Sequence, residues 1–78
     1  MKGKKKRGFS FGEVFKNPYL GNTITEVLSS TGGRIGWIWT HTDGKVVVSP
    51  QLGFYVWFGP AGEAWTMESG ARWLADKR

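Results

Sequence analysis

The residues with the plainest chemical use in this chain are cations gathered at its start. Five of them fall within the first seven positions, which contain no acid: Lys2, Lys4, Lys5, Lys6 and Arg7. Such a cluster attracts phosphate groups and releases their condensed counterions, so it binds nucleic acid without reading its sequence. A solubilising tail and, in a eukaryotic cell, a nuclear import signal have the same composition. The cluster therefore predicts a polyanion-binding arm and leaves those two other uses open.

A second group of residues suited to binding lies in the middle of the chain. The segment from Arg34 to Phe58 is rich in aromatic and β-branched residues, which favour strands. Rings on a sheet surface stack nucleobases at about 1–3 kcal/mol each. The candidate contact residues in this segment are Trp37, Trp39, Tyr55, Trp57, Arg34 and Lys45. Alternatively, the four rings form the core beneath a helix, and binding then falls to the arm with Arg34, Lys45 and Gln51 at strand ends and turns.

Residues for catalysis or metal binding are not arranged in any familiar pattern. The chain has one histidine, His41, and no cysteine, so a common zinc site cannot be assembled. It has no nucleophile motif of the Ser-x-x-Lys or Gly-x-Ser-x-Gly type and no phosphate-binding glycine loop. The six acidic residues are scattered and offer no general acid–base pair. We therefore expect no enzyme activity, no cofactor and no metal.

Charge and length bound the organisation of the chain. Of its net charge of +5, all lies in the first seven residues, because six basic and six acidic residues balance from Gly8 onward. We expect residues 1–8 to be a disordered basic tail and residues 9–78 to form a single small domain. No apolar run reaches the ~18 residues of a membrane span, and no hydrophobic segment follows the basic start. The pattern predicts a cytoplasmic protein, nucleoid-associated or nuclear, without a membrane partner.

The aromatic segment predicts three antiparallel strands near residues 34–41, 45–49 and 53–58. Asp43-Gly44 separates the first two, and this dipeptide is a strong signal for a two-residue type I′ hairpin turn. A proline and a glycine within residues 50–53 mark the second reversal of the chain.

This turn length fixes which side chains share a face of the sheet. It places Val48 opposite both Trp39 and Tyr55. One face then gathers Trp37, Trp39, Val46, Val48, Tyr55 and Trp57. The other gathers Ile38, Thr40, Val47, Phe54, Val56 and Phe58. Both faces are largely apolar, so both need a cover or a ligand.

The segment before the sheet predicts a turn or two of helix within residues 9–20. Ser10 and Glu13 have the spacing of a capping box, and apolar residues recur on one side. We expect the aromatic and aliphatic residues of this segment to cover the sheet face that a later helix leaves free: Phe11, Phe15, Tyr19 and Leu20.

Two further segments complete the fold. Residues 22–30 fit either a helix or a fourth, edge strand, and their β-branched content favours the strand. Residues 67–77 predict a helix with Thr66 as its N-cap and a stripe that includes Gly70 and Ala71, both close to a bulky tryptophan. The predicted fold class is α+β, a three- to four-stranded antiparallel β-meander packed by a C-terminal α-helix.

Three strands followed by one helix, over residues 34–77, resemble a known family. Trp39…Asp43-Gly44-Lys45 in the first hairpin and Met67…Ala71…Trp73 in the helix are similar to the arm-type (AP2-like) DNA-binding domain of phage integrases. The resemblance implies DNA binding by a sheet that enters the major groove and reads bases with polar and basic strand residues. Here the middle strand carries Val46-Val47-Val48 where that family tends to carry basic residues.

Two functions of different class follow from these features. The first is a small non-enzymatic nucleic-acid-binding protein, with DNA favoured over RNA, that uses the basic arm and the aromatic sheet surface. The second is a phage- or plasmid-type interaction module that binds a host protein through an aromatic patch or a sheet edge. Either one is compatible with a monomer or a homodimer.

Overall fold

A computed structural model describes residues 8–76 and shows a five-stranded antiparallel sheet with one helix on one of its faces. The elements are β1 (Phe9–Lys16), β2 (Thr23–Ser29), β3 (Arg34–Thr40), β4 (Val46–Gln51), β5 (Phe54–Val56) and α1 (Met67–Asp76). The strands pair in chain order, so each connection joins neighbours. The α+β class, the meander and the C-terminal helix are confirmed, with one strand more than predicted. The predicted tail lies outside the described residues except for Gly8.

The predicted helix within residues 9–20 is wrong, because this segment forms β1. Its residues pair with β2, for example Phe11 with Val27, and a bulge follows before Val14 pairs with Thr25. The capping-box spacing was a local signal only, and pairing with a whole neighbouring strand outweighs it. The expected cover of the free sheet face is also absent from the described chain: Phe11, Phe15, Tyr19 and Leu20 are exposed.

Residues 22–30 contain β2, which confirms a strand rather than a helix in this segment. Its predicted position at the edge of the sheet is wrong, since β2 lies between β1 and β3. The edges are β1 and the short β5. Sequence reasoning assigned the wrong edge because it did not recognise the strand that precedes β2.

The hairpin between β3 and β4 is one residue longer than predicted. The His41 amide donates to the Lys45 carbonyl at 2.8 Å, and the Gly44 amide donates to the His41 carbonyl at 2.9 Å. Gly44 has a φ of 92°, whereas Asp43 does not have a positive φ. This geometry is a type I turn closed by a left-handed glycine, not a type I′ turn, which would need positive φ at both central residues.

The longer turn changes the predicted faces of β4. Trp39 pairs with Val47 and Ile38 with Val48, so the predicted pairing of Trp39 with Val48 is wrong. Val48 in turn pairs with Val56 rather than with Tyr55. A shift of one residue moves every side chain of a strand to the other face. Val47 therefore joins the tryptophans, and Val48 joins Ile38.

Helix α1 covers the face that carries Ile38 and Val48, both fully buried. Its N-cap is Thr66, as predicted: the Ser69 amide donates to Thr66 Oγ1 at 3.0 Å. The last predicted position, residue 77, lies outside the described residues. A Cβ on Gly70 would lie 2.6 Å from Val48 Cγ2 but 3.9 Å from the nearest atom of Trp65. The residue that requires a glycine here is thus mainly the valine, not a tryptophan.

Candidate functional site

The face of the sheet opposite α1 carries the aromatic residues, and we call it the aromatic face. Trp39 pairs with Val47 on this side, while the neighbouring pair of Ile38 and Val48 lies under the helix. The four rings that the sequence singled out share this face: Trp37, Trp39, Tyr55 and Trp57. The alternative that they form the core beneath the helix is wrong, because the described core cluster contains none of them.

The rings make two pairwise contacts that set their orientation. Trp39 and Tyr55 meet edge to face, with centroids 5.6 Å apart and planes at 81°. His41 and Trp57 lie 5.9 Å apart with planes at 38°. Tyr55 is 47% exposed and Trp57 51% exposed, so both present ring surface to a ligand. Trp39 is half-buried and supports Tyr55 from the sheet.

A pocket of about 170 Å³ lies where these rings converge. It is lined by Asn22, Trp39, His41, Val47, Tyr55 and Trp57, and we call it the aromatic pocket. Three of these residues were not identified as site residues from the sequence. Asn22 comes from the connection after β1 and reaches the pocket because Thr23 pairs with Thr40. The sequence did not predict that these residues lie together, because the position of β2 and the length of the β3–β4 hairpin were predicted wrongly.

At the other end of the aromatic face, a charge pair surrounds Trp37. The Arg34 guanidinium lies 4.7 Å from the centroid of the Trp37 ring and 3.3 Å from a carboxylate oxygen of Glu26. The opposite oxygen of Glu26 accepts a hydrogen bond from the Glu13 amide at 3.3 Å. Arg34 is therefore engaged within the fold and covers part of Trp37. It can still approach a phosphate, because its side chain is 55% exposed.

Lys45 lies in the β3–β4 hairpin, next to the aromatic pocket but outside its lining. Its amide donates to the Asp43 carboxylate at 3.0 Å. This hydrogen bond, helped by the Lys45 charge, holds the pKa of Asp43 below its usual value. A second cavity of about 330 Å³ adjoins this hairpin and shares Trp57 with the aromatic pocket. Its remaining walls are Asp43, Gly44, Lys45, Val46, Phe58, Ala64 and Trp65.

The folded part of the chain is not basic. Residues 8–76 carry four basic and six acidic side chains, a formal charge of −2. The cations of the arm lie outside the described residues: Lys2, Lys4, Lys5, Lys6 and Arg7. The arm joins the fold at β1, where Phe9 pairs with Ser29. That position is the Arg34 end of the sheet, whereas the aromatic pocket lies at the end with Asn22 and His41. The arm is therefore joined to the fold at the end opposite the pocket.

The described chain offers no group of three His, Asp or Glu residues that could hold a metal ion. Between residues 8 and 76 no helix is long and apolar enough to cross a membrane. Comparisons with protein-family models, with curated proteins and with solved structures give no match. The resemblance to the arm-type integrase domain therefore stays a prediction.

Proposed function

We propose that this chain is a small non-enzymatic protein that binds single-stranded nucleic acid. The aromatic face stacks bases, and the arm at residues 2–7 neutralises phosphates. The single observation that carries the proposal is the position of four Trp and Tyr rings on the sheet face that α1 leaves free. A contiguous apolar patch on a small protein usually marks a binding surface, and flat rings suit the flat faces of bases.

The energies indicate that the face and the arm act together. Stacking on Tyr55 and Trp57, the two exposed members of the four rings, contributes about 2–6 kcal/mol at about 1–3 kcal/mol each. Even the upper part of this range corresponds only to a dissociation constant between micromolar and millimolar. Five cations that neutralise phosphates of a single strand add a salt-dependent part, with a slope of log K against log salt of about −3.5.

The aromatic face fits a single strand better than the major groove of a duplex. Groove readout needs polar and charged side chains that reach base edges. On β4, the corresponding residues of this face are Val47, which is buried, and Ser49, whose hydroxyl donates to the Gln51 carbonyl. Stacking on rings requires unpaired bases instead. We favour DNA over RNA on the resemblance to the arm-type domain alone.

Fluorescence anisotropy with labelled 12-nucleotide DNA, RNA and duplex DNA tests this proposal. We expect single strands to bind more tightly than the duplex, with affinity that falls steeply with salt. Deletion of residues 2–7 should remove most of the salt dependence. Tyr55→Ala should weaken binding about 5- to 150-fold, from the ~1–3 kcal/mol of one stacked base. Tyr19→Ala is the matched control, because Tyr19 is 94% exposed in the β1–β2 connection. The proposal is refuted if, at low salt, the protein binds none of the three nucleic acids.

A second candidate function rests on β1. This eight-residue strand forms one edge of the sheet, and Phe11, Val14 and Phe15 are exposed along it. An exposed apolar edge can accept a strand from another protein. If the chain is a protein-interaction module of this kind, Val14→Lys should abolish capture of a partner that persists in high salt after nuclease treatment. The same variant should dissociate a homodimer formed through β1, which sedimentation measures.

A further inference from the structure

We infer that two copies of this chain associate through the end of the sheet that carries the aromatic pocket. Each copy inserts the loop between β1 and β2 into the pocket of the other. We call residues 17–21 of this loop the tip. Tyr19 of one copy occupies the pocket of the other, and Leu20 lies at its rim. This association is independent of nucleic-acid binding, because the tip and the pocket are both parts of the described fold.

The tip holds its shape without help from its two large apolar side chains. The Asn17 side-chain oxygen accepts hydrogen bonds from the amides of Tyr19 at 2.9 Å and Leu20 at 3.0 Å. The Asn17 carbonyl accepts from the Gly21 amide at 2.8 Å, and the Asn17 amide donates to the Asn22 carbonyl at 2.8 Å. Tyr19 is nonetheless 94% exposed and Leu20 66% exposed. Because the loop is already ordered, its insertion into another protein costs little conformational entropy.

The tip and the aromatic pocket lie side by side. Asn22, the residue that follows the tip, lines the pocket together with His41 at the start of the β3–β4 hairpin. Gly21 has a φ of 76°, and a Cβ on it would lie 2.8 Å from Thr42 Cγ2, so the tip packs closely against that hairpin. A protrusion beside a pocket is self-complementary about a two-fold axis, since each copy both inserts a tip and receives one.

The pocket suits one aromatic side chain. Its volume of about 170 Å³ is below the ~300–1,000 Å³ of sites for drug-sized ligands. Its lining is almost wholly apolar and includes the exposed rings of Tyr55 and Trp57. The ring of Tyr19 from a second copy can meet these rings in the offset or edge-to-face arrangements that aromatic pairs favour. Tyrosine is also among the residues that contribute most to protein interfaces.

The distribution of charge favours this end of the sheet for self-association. Lys16 ends β1 just before the tip, and Asp43 lies in the hairpin beside the pocket. When the tip of one copy enters the pocket of the other, Lys16 of each copy can approach Asp43 of the other. The cationic arm joins the fold at Phe9, at the opposite end. An interface at the pocket end therefore keeps the two arms apart and limits their repulsion.

Self-association covers Tyr55 and Trp57, the two rings proposed to stack bases. The dimer and a single strand therefore compete for one surface. One loop and one pocket from each copy form a small interface, so we expect a weak dimer, with a dissociation constant of about 10 µM to 1 mM. At the lower protein concentrations of an anisotropy assay the chain is monomeric, and Tyr19→Ala remains a control for strand binding.

Sedimentation equilibrium of the nuclease-treated full chain tests the inference. We expect a monomer–dimer equilibrium that deletion of residues 2–7 leaves in place. Tyr19→Ala should raise the dimer dissociation constant at least about 30-fold, the effect of losing a side chain that dominates an interface. Tyr19→Phe should retain the dimer, because the pocket is apolar. The matched control is Phe54→Ala, which removes a ring that is 59% exposed at the other end of the sheet.

Mixing two variants tests the contact between tip and pocket directly. Trp57→Ala removes one wall of the pocket and should weaken the dimer, with circular dichroism as the check that the fold is retained. A mixture of Tyr19→Ala and Trp57→Ala should recover part of the association. The mixed dimer keeps one intact tip and one intact pocket, whereas neither variant alone can form this contact. Absence of recovery in the mixture would overturn the inference.

Two further outcomes would also overturn it. Loss of the dimer in Val14→Lys but not in Tyr19→Ala would place the interface on β1. A chain that stays monomeric up to about 1 mM would exclude even a weak dimer of this kind. Neither result bears on the proposed function, which concerns strand binding by the monomer at low concentration.

Discussion

Replacement of Gly70 by alanine tests the packing that leaves the aromatic face free. Gly70 is buried in α1, and a Cβ at this position would lie 2.6 Å from Val48 Cγ2 and 3.3 Å from Ile38 Cδ1. Both neighbours are fully buried on central strands. Val48 is β-branched and has little rotamer freedom, so the added methyl group must push the helix away from the sheet.

Two opposing effects determine the size of the change. In an exposed helix, Gly→Ala stabilises by about 1 kcal/mol. Inserting a methyl group into a packed core costs about 1–3 kcal/mol, and a separation of 2.6 Å favours the upper part of that range. We therefore expect Gly70→Ala to lower the free energy of unfolding by about 1–2 kcal/mol. For a domain of this size that corresponds to a melting temperature about 4–16 °C lower.

Urea and thermal unfolding, followed by tryptophan fluorescence, measure this change. A double variant with Val48→Ala is the control, because it removes the methyl group that Gly70→Ala strikes. The double variant should lose less unfolding free energy than the two single variants lose together. The difference should be at least ~1 kcal/mol, as expected for residues in contact. If Gly70→Ala instead stabilises the protein by about 1 kcal/mol, the helix does not lie on Ile38 and Val48. In that case α1 would not cover the face opposite the aromatic rings, and the aromatic face would not be the face that the helix leaves free.

Three other substitutions probe the rest of the framework. Thr66→Ala should cost about 1 kcal/mol in urea unfolding through loss of the N-cap, and the serine variant should restore it. Trp65→Phe removes the hydrogen bond from Nε1 to the Val56 carbonyl at 3.0 Å and should cost about 1–2 kcal/mol in the same assay. Because the Lys45 amide lowers the pKa of Asp43, the charged carboxylate stabilises the fold above pH 3.8. That contribution is lost as the pH falls through the lower pKa of the folded state, so wild type should lose its thermal advantage over Asp43→Asn as the pH falls below 3.8.

The sequence predicts the type and order of most elements because their signals are local. Asp43-Gly44 marks a reversal of the chain, the β-branched run of β4 favours a strand, and Thr66 marks the start of α1. The segment that became β1 carries conflicting signals: Ser10 and Glu13 fit a helix cap, while Phe and Val favour a strand. Only the neighbour decides between them, since β1 exists as a strand through its pairing with β2.

The aromatic pocket depends on a register that the sequence leaves open. Asp43-Gly44 suits both a two-residue and a three-residue hairpin. The two differ by one position in pairing and therefore exchange the faces of β4. In the structure this places Val47 rather than Val48 beside Trp39. Asn22 enters the pocket through the position of β2, which no local pattern specifies. A site built from four separate segments is thus beyond what spacing alone predicts.

The close approach of the helix explains why the four rings of the aromatic face do not lie between α1 and the sheet. A Cβ on Gly36 would lie 2.8 Å from both Leu74 Cδ1 and the Ser49 carbonyl oxygen. Together with Gly70, this glycine lets α1 approach β3 and β4 more closely than any larger side chain would allow. A tryptophan beneath α1 would hold it off the sheet and empty the core around Val48. Trp37, Trp39, Tyr55 and Trp57 lie on the other face, where no element among residues 8–76 covers them. A ligand with flat apolar surfaces and a negatively charged backbone suits both this face and the cationic arm, and single-stranded nucleic acid has both properties.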